Sequence, residues 1–231
     1  MSAERLGPFF LRQPPGVFPL GEDALRLAAF ATVRRSWKVC DLGTGSGCLL
    51  LLLSGRATGL DLYGVELDPT AARAARDNLM ENGLGGTVWT GDWNALPGGT
   101  GPFDLVVSNP PYFAQGSGAS GGPARMEGRD GLESLCRTAA RLTRNGGRFA
   151  LCHRPERLTD LLCALRAAGL EPKRVQPVRH NAESPVSLLL LEARRGGRPG
   201  LTLLPELLEY ETDGTEREAL RAARHAKGDC P

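Results

Sequence analysis

The sequence predicts an α/β fold: a mostly parallel, seven-stranded sheet with an antiparallel edge hairpin and helices on both faces. Two observations predict it. Short β-rich runs alternate with helical stretches of about 10–15 residues, the pattern of right-handed βαβ units. The last two β-rich runs, by contrast, are joined only by Asn181-Ala-Glu-Ser-Pro185, which is too short for a parallel crossover.

The elements follow in order. Residues 1–36 form a Pro/Gly-interrupted lead, in which Gly21 to Phe30 reads as a short helix opened by Glu22 and Asp23. Trp37 to Leu42 is a buried strand and Ser46 to Arg56 a helix. Leu62 to Leu67 is the second strand, and Pro69 to Asn82 an Ala-rich helix with Pro at its first turn and Asn-Gly at its end. Thr87 to Thr90 and the apolar run Phe103 to Ser108 are strands three and four. Residues 114–122, Ala-Gln-Gly-Ser-Gly-Ala-Ser-Gly-Gly, read as a mobile loop. A helix over 130–144 ends at Asn145-Gly-Gly, and Arg148 to Cys152 is strand five. Pro155 to Ala168 is a helix closed by Gly169, and runs near 171–179 and 186–193 form the hairpin. Residues 37–194 are thus the core, 1–36 a lead and helix over its ligand site, and 195–231 a terminal arm. In that arm Leu201, Leu203, Leu204, Leu207 and Leu208 are expected to pack back on the body.

Composition narrows the classes. The chain is 41% hydrophobic and 23% charged, ordinary for a globular protein, and no apolar run approaches the roughly 18–20 residues of a membrane span. The N-terminus lacks a basic region followed by an apolar stretch, so a cytoplasmic protein is expected, with a monomer as its assembly. Of six cysteines, Cys40, Cys48, Cys136, Cys152 and Cys163 sit among Val, Leu and Ala and read as buried reduced thiols. The three histidines do not cluster with them, so no metal site is expected. Net charge is +2, and the 28 basic residues are 25 Arg and 3 Lys. A GC-rich coding bias explains that ratio; so would phosphate contacts from Arg34/Arg35/Lys38, Arg141/Arg144/Arg148 and Arg194/Arg195/Arg198, if those groups share a face.

The first motif is Val39-Cys-Asp-Leu-Gly-Thr-Gly-Ser-Gly47, where strand one hands over to a helix. Gly43, Gly45 and Gly47 allow a tight turn and bare backbone for a ligand. A dinucleotide site wants Gly-x-Gly-x-x-Gly facing a pyrophosphate. Here the spacing is Gly-x-Gly-x-Gly, and the neighbouring Asp41 would repel a pyrophosphate while suiting the cationic methionine end of S-adenosylmethionine. Some twenty residues on, Tyr63-Gly-Val-Glu-Leu-Asp68 puts Glu66 where a carboxylate can accept ribose hydroxyls, with Leu67 positioned for an adenine face and Asp68 as an N-cap. After strand three, Asp92 could accept from the adenine amino group, and Trp93 could stack on it or fill the core.

The second motif, Ser108-Asn-Pro-Pro-Tyr112, ends strand four. In a doubly wound sheet the order reverses between strands one and four, so this corner faces the glycine turn across one crevice. The Asn109 side-chain oxygen and the Pro110 carbonyl can each accept from one NH2 group. Pro110 and Pro111 fix φ and supply no competing N–H, and Tyr112 can stack on a planar acceptor. Positioning and electrostatics then carry the reaction, with no obligatory general base.

With these residues assembled, the chain resembles the class I, Rossmann-like methyltransferases, and within them the bacterial tRNA(Val) (adenine-N(6))-methyltransferase family. The resemblance covers roughly residues 13–210. Supporting parts are Phe18-Pro-Leu-Gly-Glu-Asp-Ala-Leu, Ala124-Arg-Met-Glu127 and Glu171-Pro-Lys-Arg-Val175. It implies that Asp41, Gly43, Gly45, Glu66 and Asp92 hold S-adenosylmethionine, a set that the reading of the motifs extends to Thr44, Gly47, Leu67 and Trp93. It also implies that Asn109, Pro110, Pro111 and Tyr112 hold an adenine of tRNA for methylation. Two other readings share the motifs: a methyltransferase of protein glutamine amides, and a non-catalytic S-adenosylmethionine-binding scaffold. Glutamine-amide enzymes usually carry an additional N-terminal helical domain, whereas about 36 residues precede strand one here.

Overall fold

The structure, a computed structural model, describes residues 3–17, 20–110, 129–213 and 215. Its elements are β1 (Ala3–Leu6), β2 (Phe9–Arg12), α1 (Glu22–Phe30), β3 (Lys38–Leu42), α2 (Cys48–Ser54), β4 (Asp61–Glu66), α3 (Pro69–Glu81) and β5 (Gly86–Thr90). There follow β6 (Phe103–Ser108), α4 (Arg129–Leu142), β7 (Thr143–His153), α5 (Leu158–Ala167), β8 (Leu170–Arg179), β9 (Val186–Arg195), β10 (Thr202–Leu203) and β11 (Leu207–Leu208).

One sheet organises the molecule, in the order β10-β8-β9-β7-β6-β3-β4-β5, with β11 also on β8. β7, β6, β3, β4 and β5 are mutually parallel, and β9 runs antiparallel between β7 and β8. The seven long strands are those expected; β10 and β11 add two dipeptide strands outside β8.

Strand alternation divides the core between the two faces. Val39, Leu105, Val107, Leu188 and Leu190 point to one side, against α1, α2 and α3. Cys40, Val106, Phe149, Leu189 and Leu191 point to the other, against α4 and α5. Each fully buried Leu or Phe contributes roughly 1.5–3 kcal/mol. No helix among the described residues is long and apolar enough to cross a membrane.

Local signals account for the helix ends. Asp68 caps α3, its carboxylate accepting from the Thr70 N–H at 2.8 Å, with Pro69 at the first position. Helix α2 is shorter than expected because the glycine turn runs on to Gly47, in the left-handed region at φ +85. The stretch Pro155 to Ala168 splits into a 3-10 turn, Pro155–Arg157, and α5.

Three expectations need correction. Cys163 is exposed, because it falls on the solvent side of α5, whereas Cys40, Cys48, Cys136 and Cys152 are buried. In the terminal arm Leu204 and Leu207 pack on the core, but Leu201 and Leu203 are exposed. β10 lies at the open edge of the sheet, where one side of a strand has nothing to pack on. The lead is also more ordered than its glycines and prolines suggest: β1 and β2 form an antiparallel hairpin. The predicted loop at 114–122 lies outside the described residues, as do Phe18 and Pro19.

Buried charge ties α1 to the sheet. Glu192 on β9 is fully buried and accepts from the Thr32 N–H at 2.8 Å, the Thr32 hydroxyl at 3.1 Å and Arg174 at 3.0 Å, and pairs with Arg148. Arg56 donates to the Ala31 carbonyl at 2.7 Å, so the turn after α1 is held from two directions.

Candidate active site

The predicted site residues occupy the carboxyl ends of four neighbouring parallel strands. Asp41 ends β3 and leads into Gly43, Thr44, Gly45 and Gly47. Glu66 ends β4 and Leu67 follows it, Asp92 and Trp93 follow β5, and Asn109 and Pro110 follow β6. The sheet order β5-β4-β3-β6 makes these ends adjacent, and the topology reverses at β3, flanked by β4 and β6. Pro111 and Tyr112 lie outside the described residues.

The glycine turn is held open from behind. Gly43 and Thr44 donate their N–H groups to the Val65 carbonyl at 2.8 and 3.0 Å, while Gly45 donates to a Glu66 carboxylate oxygen at 2.8 Å. Gly43, Gly45 and Gly47 have φ of +79, +55 and +85, a region that side chains other than glycine rarely adopt. A Cβ built at Gly45 would meet nothing within 4 Å: the turn borders open space.

Glu66 therefore has a structural task the motif did not reveal. Its second oxygen accepts from the Asp68 N–H at 2.9 Å, so the carboxylate staples the turns after β3 and β4 together. Leu67 is 54% exposed and available to a ligand face. Asp92 accepts from the Asn94 N–H at 2.8 Å and caps the 3-10 turn Trp93–Ala95. Trp93 is half-buried, its ring 3.7 Å from where a Gly43 Cβ would stand.

Asp41 is the electrostatic centre. It is 1% exposed, and burial pushes its carboxyl up to about 7, with the Glu66 charge adding to the shift. The Thr44 hydroxyl offsets part of that shift without reaching hydrogen-bond geometry. Seven buried side-chain nitrogen and oxygen atoms among the described residues lack a hydrogen-bond partner. Four of them are both Asp41 oxygens, the Thr44 hydroxyl and the Trp93 indole nitrogen. Orphaned buried polar atoms are costly and rare, and their concentration here fits a polar, cationic ligand.

The acceptor corner is joined to this site directly. Asp41 on β3 pairs in register with Val107 on β6, and the Ser108 hydroxyl donates to the Leu42 carbonyl at 2.7 Å. The Asn109 side-chain oxygen accepts from the Cys152 thiol on β7 at 3.1 Å, which sets the plane of the amide.

Several contributors were missed from sequence. Gly64, inside β4, is one: a Cβ there would stand 2.9 Å from the Thr44 side chain. A glycine interrupting a strand pattern is the signal that marks such close approach. Asn94, whose side-chain oxygen accepts from the Ser134 hydroxyl at 2.5 Å and the Thr138 hydroxyl at 3.2 Å, ties the turn after β5 to α4. Gln13 donates to the Ser46 hydroxyl at 3.2 Å and accepts from the Leu20 N–H at 3.0 Å, bringing the lead against the glycine turn. Neither had a signal in sequence. Among the described residues no group of three His, Cys, Asp or Glu is placed to hold a metal ion.

Fold and site together define a class I methyltransferase. A family profile described as the methyltransferase small domain matches residues 12–155. The chain belongs to that family and, within it, to the S-adenosylmethionine-dependent N-methyltransferases. It is 34% identical over 191 residues to the tRNA1(Val) (adenine(37)-N6)-methyltransferase of Edwardsiella ictaluri, covering 79% of this chain and 76% of the relative. The protein of the same name in Dickeya chrysanthemi is 32% identical over 202 residues, 82% and 78% of the two chains. Among solved structures, a predicted O-methyltransferase from Agrobacterium tumefaciens matches with a TM-score of 0.72 at 20% identity, over 89% of this chain and 96% of that one. A Thermus thermophilus 16S rRNA methyltransferase, in complex with AdoMet and guanosine, matches at 0.60 and 24% identity, over 81% of this chain and 47% of that one. At these identities the structural likeness speaks to fold.

Proposed function

We propose that this chain transfers the methyl group of S-adenosylmethionine to the exocyclic amino nitrogen of adenine in tRNA. The observation that carries the reading is the unpartnered polar cluster of Asp41, Thr44 and Trp93, set against the Asn109-Pro110 corner by the pairing of β3 with β6. The named activity of the relatives supports the RNA acceptor.

Asp41 receives the cationic methionine end of the cofactor, the Gly43–Gly47 turn approaches it through bare backbone, and Glu66 accepts from the ribose hydroxyls. Leu67 and Trp93 border the adenine, and Asp92 accepts from its amino group. When bound, the cofactor supplies an electrophilic sulfonium methyl. The Asn109 side-chain oxygen and the Pro110 carbonyl accept the two N–H bonds of the target amine, which holds the nitrogen lone pair toward that methyl and raises its electron density. Pro111 presets the carbonyl direction, and Tyr112 stacks on the base. As the new N–C bond forms, the S–C bond breaks, leaving a neutral thioether. The accepting oxygens stabilise the positive charge on the methylated nitrogen until it releases one proton to solvent water. The lead over 1–36 closes one side of the cofactor cleft, the 37–194 core carries the chemistry, and 195–231 is an arm. The enzyme works as a cytoplasmic monomer.

Mass spectrometry of nucleosides from tRNA incubated with the pure protein and methyl-labelled cofactor tests this. Labelled N6-methyladenosine is expected. Label in a protein fraction and not in tRNA would move the acceptor to an amide, and label in neither would leave a scaffold. Asn109→Ala is expected to reduce transfer by at least about 100-fold. Its cofactor affinity, read by calorimetry, should stay within several-fold, because Asn109 touches the acceptor. Loss of both together would contradict that division of labour.

A further inference from the structure

We infer that the amino edge of the sheet, opposite the active site, is a docking surface for the phosphate backbone of the RNA substrate, away from the base that is methylated. The inference rests on the RNA reading above. The three arginine-rich groups seen in the sequence do share one place in the fold. Arg34 and Arg35 immediately precede β3, which opens at Lys38. Arg141 and Arg144 flank the start of β7, and Arg194 and Arg195 end β9, whose antiparallel course returns it to the same edge: Arg148 pairs with Arg194, and Leu170 with Arg195. Arg198 follows, its carbonyl accepting from Lys173 near the start of β8 at 3.0 Å.

The carboxylates at this edge are already engaged. Asp104 pairs with Arg144 at 2.5 Å, Asp61 with Lys38 at 3.8 Å, Glu171 with Arg166 at 3.3 Å, and buried Glu192 with Arg148 and Arg174. Among the described residues Arg34, Arg35, Arg141, Arg194, Arg195 and Arg198 pair with none. Without those six, the sequence has 22 basic and 26 acidic side chains, so these arginines alone outweigh the net charge of +2. Among the described residues, Arg194 and Arg195 lean on backbone carbonyls alone, Arg194 donating to Gly146 at 3.1 Å and Arg195 to Arg141 at 3.4 Å and to Thr143. Like charges gathered in this way repel, and a bound polyanion relieves the repulsion.

At the carboxyl edge acidic and basic side chains are mixed: Arg76 reaches Thr90 at the end of β5, Arg154 and Arg157 follow β7, and Arg179 ends β8. Asp41, Glu66, Asp68 and Asp92 surround the cofactor turn, and Glu22, Asp23 and Glu209 surround Arg26. The arginines of the far edge without carboxylate partners thus offer a phosphate backbone a site clear of the carboxylates beside the cofactor turn. Arginine suits that partner, since its planar fork grips phosphate oxygens in pairs. The separation also fits an extended RNA. β7 runs from Thr143 at the basic edge to His153, one residue beyond the Cys152 that holds Asn109. Paired to β6 from Phe103–Thr143 to Ser108–Leu151 with a bulge before Arg148, that crossing covers roughly 20–25 Å.

The test uses the full chain carrying Arg35→Glu and Arg198→Glu, with Arg34→Glu/Arg141→Glu as a second variant should the first lose its fold. Three measurements are made: kinetics on whole tRNA, kinetics on a short stem-loop holding the target adenine, and anisotropy of labelled tRNA over a salt series. For whole tRNA, KM is expected to rise about 10-fold or more with kcat unchanged, and the log–log salt slope to fall by about 2. Stem-loop kinetics should not move. Unchanged tRNA binding with an unchanged salt slope would overturn the inference. So would equal damage to both substrates, which would mark a disturbance of the site itself. Nucleoside analysis of wild-type product separates the two claims: absent tRNA label sinks the adenine reading, while the anisotropy result judges the docking edge.

Discussion

Asp41 carries the sharpest single-residue consequence. A carboxyl raised from 3.8 to about 7 favours the protonated form in the folded protein. The folded state then holds more protons than the unfolded chain between those values, so the Asp41 contribution to stability is greatest below about 4 and is lost as pH rises through about 7. The shift corresponds to about 4 kcal/mol. Asp41→Asn is expected to flatten that decline and to raise stability at pH 8, read by denaturant titration across pH. Its cofactor affinity should fall at the same time, because the neutral amide no longer attracts a cation. In wild type, cofactor binding is expected to strengthen from pH 6 to 8 with release of a proton, read by calorimetry in buffers of different ionisation enthalpy. A pH-independent stability difference between the two proteins would contradict the shift. Asp41 was legible in sequence as a charge beside a glycine turn. Its unpartnered burial was not, since that follows from the strands packed on both sides.

At the scale of elements, the strand–turn–helix order was legible because each β-rich run, cap and terminal glycine acts locally: Asp68-Pro69 starts α3 wherever α3 packs. The hairpin β1–β2 was not, because an isolated two-stranded ribbon is marginal. It stands here on Asn78 of α3 and Asn82 at its C-cap: Asn78 exchanges hydrogen bonds with the Arg12 backbone at 2.9 Å in both directions, and Asn82 with Phe10 at 2.8 and 2.7 Å. The match of β4 to the glycine turn is a second contact between elements distant in sequence. Gly64→Ala would press a methyl on Thr44 at 2.9 Å. The expected result is cofactor affinity weakened several-fold or more with secondary structure retained, measured by calorimetry and circular dichroism. Unaltered affinity would mean that Thr44 moves aside without consequence.

Across the whole molecule, one sheet separates two apolar cores, and each core holds two buried thiols: Cys48 and Cys152 on one face, Cys40 and Cys136 on the other. Both cores share every central strand, so they should open together. Alkylation followed by peptide mass spectrometry is expected to label these four cysteines at one common slow rate, with exposed Cys163 reacting first. Two distinct rates for the two faces would show that the helical layers unfold independently.

By itself the sequence determined the alternation of strands and helices, the glycine turn with its carboxylates and the Asn-Pro-Pro corner, because propensity, capping and motif spacing are properties of short segments. Tertiary structure decided what depends on residues far apart in the chain. It left Asp41 buried without a partner, put the Cys152 thiol on Asn109 and matched Gly64 to Thr44. It also collected the scattered arginines at one edge, since only the order and direction of the strands bring residues 34, 141 and 198 to the same end of the sheet.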